Sequence, residues 1–369
     1  MAARPEKAAL AHSGPGASEE AKGGVHTKKS KIASVLLTAA ICFFAASCGT
    51  PAQQQSMPPA SGEAESAAAS SAVSLPAEEE PQAEEPEGEQ QPVFDPEKRE
   101  GKLAVYFLGL NDIGTDNGEA ALIRFPDGGT MLVDTSFEKK SEDLLALLEK
   151  CGVEKIDHLL LTHYHTDHTG GVKRLCEEME TGQIYLPECG GLSAGQVEGL
   201  PADAQVRYLK RGDVLEPAEG VKLEILNPEA GLEYPQGDLE KKEKSAFENN
   251  LSLVFRLLYG ETSLLFTGDI YDEAESSLLQ FYGDELKCDL IKVPHHGLST
   301  SSSTRFMLKT APEQAVIMSG KPSVSIYESW KSRAETYVTG AYGTVLVLSD
   351  GNTVTLETEH GDESNGVYG

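Results

Sequence analysis

The chain has 369 residues, 39% of them hydrophobic, which is enough for one large domain or two modest ones around a sizeable core. Its formal net charge is −28, so at long range it repels polyanions, which counts against broad nucleic-acid binding. A metal cleft within such a fold can still be locally positive.

In chain order, Lys28, Lys29 and Lys31 precede an apolar run from Ile32 to Ala46. The run falls short of the roughly 20 residues a membrane span needs. A basic stretch before a short apolar core reads as a secretory signal over residues 1–48. The run ends Ala45-Ala46-Ser47-Cys48-Gly49, which resembles a bacterial lipoprotein lipobox, with Ala45 where such boxes usually carry Leu. The resemblance implies a lipid anchor at Cys48, with the rest of the chain exported to the outer face of the cytoplasmic membrane or secreted. An uncleaved signal anchor is the alternative, and it too places the rest outside that membrane. Residues 49–101 are Pro, Glu, Ala, Ser and Gln, with eight prolines and twelve acidic residues against two basic ones. Such a stretch cannot bury enough apolar surface to offset its ordering entropy. It is expected to be a disordered, extended tether.

From residue 102 onward the pattern changes. Lys102–Leu108 and Glu119–Phe125 read as strands, followed by the turn Pro126-Asp127-Gly128-Gly129 and a strand Thr130–Val133 that ends at Asp134. Glu142–Cys151 has helical periodicity, His158–Thr162 reads as a buried strand, and Gly171–Met179 as a helix. Further strands are expected at 183–186, 206–209, 223–226, 251–258, 263–266, 290–293, 315–318, 344–348 and 353–357. Cys151, Cys176, Cys189 and Cys288 follow no C-x-x-C pattern; they are buried thiols or up to two disulfides.

Of the seven histidines after the signal, five fall into two short clusters. The first is Thr162-His163-Tyr164-His165-Thr166-Asp167-His168-Thr169-Gly170-Gly171, closing a buried strand. Residues i and i+2 of an extended segment share a face, so His163 and His165 can hold one ion, and the turn after them lets Asp167 and His168 face a second. Imidazoles with a carboxylate suit Zn²⁺, with Mn²⁺ as an alternative. The second cluster is His295-His296 in Lys292-Val293-Pro294-His295-His296-Gly297.

The HxHxDH motif resembles the metallo-β-lactamase superfamily. Leu265-Phe266-Thr267-Gly268-Asp269 resembles its strand-end Gly-Asp, whose carboxylate bridges two metals. His295 resembles its last ligand, and Asp134 the aspartate that holds a ligand imidazole in one orientation. Val105-Tyr-Phe-Leu-Gly, Gly118-Glu-Ala-Ala-Leu-Ile-Arg-Phe-Pro-Asp-Gly, Asn249-Asn250-Leu251-Ser252-Leu253-Val254 and the Pro-His-His-Gly run resemble the C-terminal domain of the competence protein ComEC. The family's Gln-Gly-Asp is here Asn117-Gly118-Glu119, and Leu298 stands where a Ser is expected. The resemblance implies an α/β fold over 102–369, the four-layer αββα metallo-β-lactamase sandwich, with hydrolase activity. No run of channel helices accompanies it, so a DNA-transporting role is not expected.

The family's third histidine for the first metal is missing, because no histidine lies between His168 and His295. The first ion is therefore expected to rest on His163, His165, a bridging Asp269 and water. The second rests on Asp167, His168, Asp269 and His295, and is expected to be the tighter. Asn250 or a carboxylate from 228–248 is where a further ligand would be sought. A metal-bound hydroxide is the expected nucleophile, oriented by Asp167, with His296 either donating to the substrate or serving as a structural partner. ComEC-like domains are associated with nuclease activity, which implies a phosphodiester substrate, with nucleic acid or a small molecule as its source. The alternatives are a lactone or β-lactam substrate, or a non-catalytic surface binding module that keeps the fold.

Overall fold

The structure, a computed structural model, describes residues 92–368 apart from Asp116. The expected signal, Cys48 and the tether up to residue 91 lie outside the described residues. The packed chain begins earlier than position 102. Pro92–Phe94 and Pro96–Arg99 form short 3₁₀ turns. Val93 and Phe94 are buried, and Lys98 pairs with Glu357. Two apolar side chains that find a core outweigh the polarity of their neighbours, so the last residues of the expected tether are part of the domain.

Strand β1 (Leu103–Phe107) pairs antiparallel with β2 (Ala121–Arg124), and β2 pairs with β3 (Thr130–Val133) across the Asp127-Gly128 turn. Helix α1 (Ser141–Lys150) leads to β4 (Lys155–Leu160), parallel to β3. After α2 (Thr166–Thr169) and α3 (Val172–Glu178), strands β5 (Glu180–Pro187) and β6 (Val206–Leu209) extend the sheet in parallel. A second sheet begins with β7 (Val214–Ala218) and β8 (Val221–Asn227). It continues past α4 (Lys241–Asn250) with β9 (Val254–Tyr259) and β10 (Thr262–Phe266). Helices α5 (Asp272–Tyr282), α6 (Thr304–Thr310) and α7 (Val324–Lys331) then alternate with the parallel strands β11 (Leu290–Lys292), β12 (Gln314–Ile317) and β13 (Glu335–Val338). Past α8 (Thr339–Tyr342), β14 (Val345–Ser349) and β15 (Val354–Thr358) return to the first sheet beside β1. The strand orders are β15-β14-β1-β2-β3-β4-β5-β6 and β13-β12-β11-β10-β9-β8-β7.

The burial pattern of β1 explains the layering. All five of its residues are buried. Leu103, Val105 and Phe107 point into the core between the sheets, whereas Ala104 and Tyr106 face the helices on the other side. A strand covered on both faces hides its alternation in a continuous apolar run. The central core includes Leu223, Ile225, Phe255, Leu264 and Phe266 from the second sheet. There Phe266 stacks between Phe107 and Phe255, with centroids 5.6 and 4.6 Å away. Leu144 and Leu148 of α1 and Val172 of α3 cover the first sheet. Leu278 of α5, Phe306 of α6 and Trp330 of α7 cover the second. The result is the helix–sheet–sheet–helix sandwich expected.

The strands read from the sequence are present with shifted ends. Strands β7 and β13 and helices α4 to α7 are absent from the sequence reading; β13 and α6 are short, and α4 buries only Asn249. The four cysteines of the described residues are free thiols, three of them buried. Among the described residues no helix is long and apolar enough to cross a membrane.

Candidate metal centre

One end of the two sheets gathers the expected residues. Asp134 follows β3, His163 to His168 follow β4, Asp269 follows β10, and His295 and His296 follow β11. The segments after β3, β10 and β11 leave their strands on a sharply turned backbone. Asp134 has φ 62°, Gly268 φ 51°, His295 φ 45° and His296 φ 52°. A side chain at Gly268 would place its Cβ 2.6 Å from that of Ser252, so only glycine lets Asp269 turn inward there. Left-handed backbone at non-glycine residues costs about 1–3 kcal/mol each and persists where the surroundings impose it.

Each imidazole is gripped on one nitrogen, and most turn the other inward. Asp134 takes the amide and hydroxyl of Thr162, both at 2.7 Å, and meets His168 Nδ1 at 2.8 Å. His168 Nε2 then lies 3.1 Å from Asp269 Oδ2. His163 Nδ1 rests on the hydroxyls of Thr162 (3.1 Å) and Ser252 (3.3 Å), and its Nε2 approaches His165 Nδ1 at 3.1 Å. His165 Nε2 meets Glu248 Oε2 at 3.1 Å. His296 Nδ1 faces the Met318 carbonyl at 3.2 Å, and its Nε2 stands 3.0 Å from Asp269 Oδ2 and 3.4 Å from Asp167 Oδ2. His295 holds Thr300 Oγ1 through Nδ1, while its Nε2 is 3.9 Å from Asp269 Oδ2. Asn250 is engaged elsewhere, with the Tyr271 amide and Glu273.

Electrostatics fit this arrangement. Burial alone would depress His168 and His296. The carboxylates of Asp269, Asp134, Glu119 and Asp167 instead hold His168 well above its ordinary pKa. Asp269, Asp167 and Glu119 do the same for His296. Burial opposes ionisation of Asp269, yet His296, His168 and Lys292 hold it well below the usual carboxylate range. Burial pushes His295 down to about 4, so it is neutral at pH 7.

Two residues that the sequence reading gave no role complete the centre. The Lys292 ammonium, buried beneath it, meets Glu119 Oε1 at 2.7 Å, the Gly268 carbonyl at 2.9 Å and Asp269 Oδ1 at 3.4 Å. Lys292 thereby occupies one oxygen of Asp269 and leaves Oδ2 for the histidines. Glu119, His168, Asp269 and His296 each offer a ligand atom within 4.8 Å of the others. Glu119, however, faces the Nδ1 atoms of His296 (3.2 Å) and His168 (3.6 Å), behind the rings. The signal for Glu119 was its place opposite the family's Gln-Gly-Asp aspartate.

The residues fit a divalent ion. A tetrahedral ion with bonds of about 2.0–2.1 Å holds its ligand atoms roughly 3.4 Å apart. The inward pairs His163–His165, His168–Asp269, His296–Asp269 and His296–Asp167 span 3.0 to 3.4 Å. His296 Nε2 is also fully buried with no aligned hydrogen-bond partner, a position that a cation would satisfy once the imidazole gives up its proton. The structure brings together all six expected ligands, but it sets His296, where the sequence reading favoured His295, nearest to Asp269.

The Metallo-beta-lactamase superfamily (Lactamase_B) matches residues 113–321. ComE operon protein 3 of Bacillus subtilis (strain 168) is 30% identical over 236 residues, covering 58% of this chain and 28% of that protein. Competence protein ComA of Neisseria gonorrhoeae is 34% identical over 176 residues, 47% of this chain and 21% of that protein. This chain therefore spans less than a third of either relative. Among solved structures, the metallo-beta-lactamase fold protein YhfI from Bacillus subtilis aligns over 67% of this chain and 100% of its own at 13% identity, with a TM-score of 0.44. With its HxHxDH segment, strand-end Asp269 and paired histidines on one sandwich edge, the chain belongs to the metallo-β-lactamase superfamily, a hydrolase-type fold, with ComEC-type competence proteins among its homologues.

Proposed function

We propose that this chain is an exported, zinc-dependent phosphodiesterase, held at the outer face of the cytoplasmic membrane through Cys48. The observation that carries the reading is the convergence of His168 Nε2 and His296 Nε2 on Asp269 Oδ2, beside the facing pair of His163 Nε2 and His165 Nδ1. This arrangement suits two ions, the first on His163, His165 and Asp269, and the second on Asp167, His168, Asp269 and His296. Such ions would supply Lewis-acid charge and an acidified water. The chain does the rest. His163, His168, Asp269 and His296 are almost wholly buried, whereas the side chains of His165, Asp167 and His295 are 24, 25 and 13% exposed. A substrate therefore enters along that open edge. Asp167 there accepts a hydrogen bond from the attacking water and orients it. Neutral His295 presents Nε2 beside the entering group. The buried Lys292 charge offsets Asp269 and Glu119.

The ComEC-like character of the chain favours a phosphodiester, and its overall acidity favours a small or locally docked one. The test is a screen of the purified full chain with Zn²⁺ or Mn²⁺ against a chromogenic phosphodiester, DNA, a β-lactam and a lactone. Phosphodiester turnover that chelation and Asp269→Ala both abolish is expected. Turnover of only the β-lactam or lactone would overturn the substrate class. Metal retention without any turnover would make the domain a binding module. His296→Ala should lose the second ion and His295→Ala should keep it; the reverse would restore the ligand role to His295.

A further inference from the structure

Helix α4 is an unusual element for a packed domain. Its sequence is Lys-Lys-Glu-Lys-Ser-Ala-Phe-Glu-Asn-Asn, and among its residues only Asn249 is buried. A helix polar on nearly every side gains little from packing. One face of α4 nevertheless rests on the metal motif. Ser245 and Glu248, three residues apart and so neighbours on the helix surface, both reach His165 Nε2, at 3.5 and 3.1 Å. Glu248 is itself held, because Tyr234 donates its hydroxyl to Oε1 at 2.8 Å. Tyr234 is fixed in turn by an edge contact with Phe247 (5.5 Å) and by its amide on the Gly190 carbonyl.

The direction of that contact decides its meaning. His165 turns Nδ1, and not Nε2, toward His163 Nε2. The nitrogen that Glu248 touches therefore diverges from the metal position. We propose that Glu248 is a positioning carboxylate: it accepts the Nε2–H of His165, fixes the tautomer that frees Nδ1 for the first ion, and strengthens the donor power of a site that lacks a third histidine. This rests on the two-ion reading above. Carboxylate support behind a ligand histidine typically governs about 10–100-fold of metal affinity. A position with two imidazoles has the most to gain from it. Helix α4 is then the element that carries this support, with Tyr234 as its brace.

The test uses the full chain loaded with Zn²⁺ and desalted. Zinc is counted, and each ion's affinity is measured by competition with a chromophoric chelator. The variants are Glu248→Gln, Glu248→Leu and Tyr234→Phe, with melting of the metal-free forms as a second readout. The parent should hold two ions. Glu248→Leu should weaken one of them about 10–100-fold and leave the other at parent affinity. Glu248→Gln, which keeps an acceptor, should lose less, and Tyr234→Phe less again. Metal-free melting should match the parent. Both ions kept at parent affinity in Glu248→Leu would overturn the assignment while the two-ion reading stands. Loss of one ion by Glu248→Gln as complete as in His163→Ala would make Glu248 a ligand and overturn the positioning role. A lowered metal-free melting temperature with both ions weakened would reduce Glu248 to a structural residue. A parent that holds a single ion would overturn the two-ion reading and this assignment with it.

Discussion

Asp134→Asn is the sharpest probe of the centre, because it changes one atom behind the ligands and none of the ligands. Asp134 is fully buried and has φ 62°, a backbone state that Asn tolerates better than most residues, so the substitution adds little strain. Its two oxygens accept from the Thr162 amide, the Thr162 hydroxyl and His168 Nδ1. The asparagine amide cannot serve all three. If its NH₂ replaces Oδ1, two N–H groups collide at Thr162. If it replaces Oδ2, it donates to His168 Nδ1 and forces the proton onto Nε2, the nitrogen that faces Asp269. Either orientation costs an ion its ligand or the fold a buried hydrogen bond. The affinity of the second ion should fall about 10–100-fold, or about 1.4–2.7 kcal/mol, and the metal-free fold should lose about 1–3 kcal/mol. Chelator competition and denaturant unfolding of the full chain measure the two. Zinc retained at parent affinity with unchanged unfolding would refute the claim that Asp134 orients His168.

Metal affinity should keep rising with pH above the ordinary histidine value, because the carboxylates hold His168 and His296 protonated past it and each proton must leave before an ion binds; chelator competition at several pH values that is flat from neutral upward would contradict this. Phe266→Ala removes the ring at the centre of the aromatic stack and should cost about 3–5 kcal/mol in urea unfolding, whereas a loss below about 1 kcal/mol would mean that the intersheet core collapses around the gap. Deleting 49–91 should leave stability and turnover unchanged, but extending the deletion through 101 strips the buried Val93 and Phe94 and should cost about 1.5–3 kcal/mol for each, read as a lower melting temperature; equal melting of the two truncations would return the boundary to 102. Cys48→Ala should release the protein from the membrane fraction or block its processing, and unchanged fractionation and mass would remove the lipid anchor.

The sequence by itself determined the parts of this protein whose signal is local. His163, His165, Asp167 and His168 lie within one strand end and turn, so their spacing alone says that they share a site. The Gly-Asp at 268–269 and Asp134 are likewise written into the residues that end β10 and β3. The composition of residues 49–101 carries only an expectation of a tether, and Val93 and Phe94 were too few to reveal that its last turn docks. What only the tertiary structure decided is every pairing across the sandwich. Glu119 and Lys292 meet beneath Asp269 because the register of the two sheets brings them there, and no periodicity records that. Glu248 reaches His165 from a helix whose apolar pattern is too weak to announce it. The choice between His295 and His296 turns on the backbone itself. Both adopt left-handed angles, so neighbours that alternate faces in an extended strand here both turn toward Asp269, and a rotation of the chain, not the identity of the side chain, sets which imidazole lies deeper.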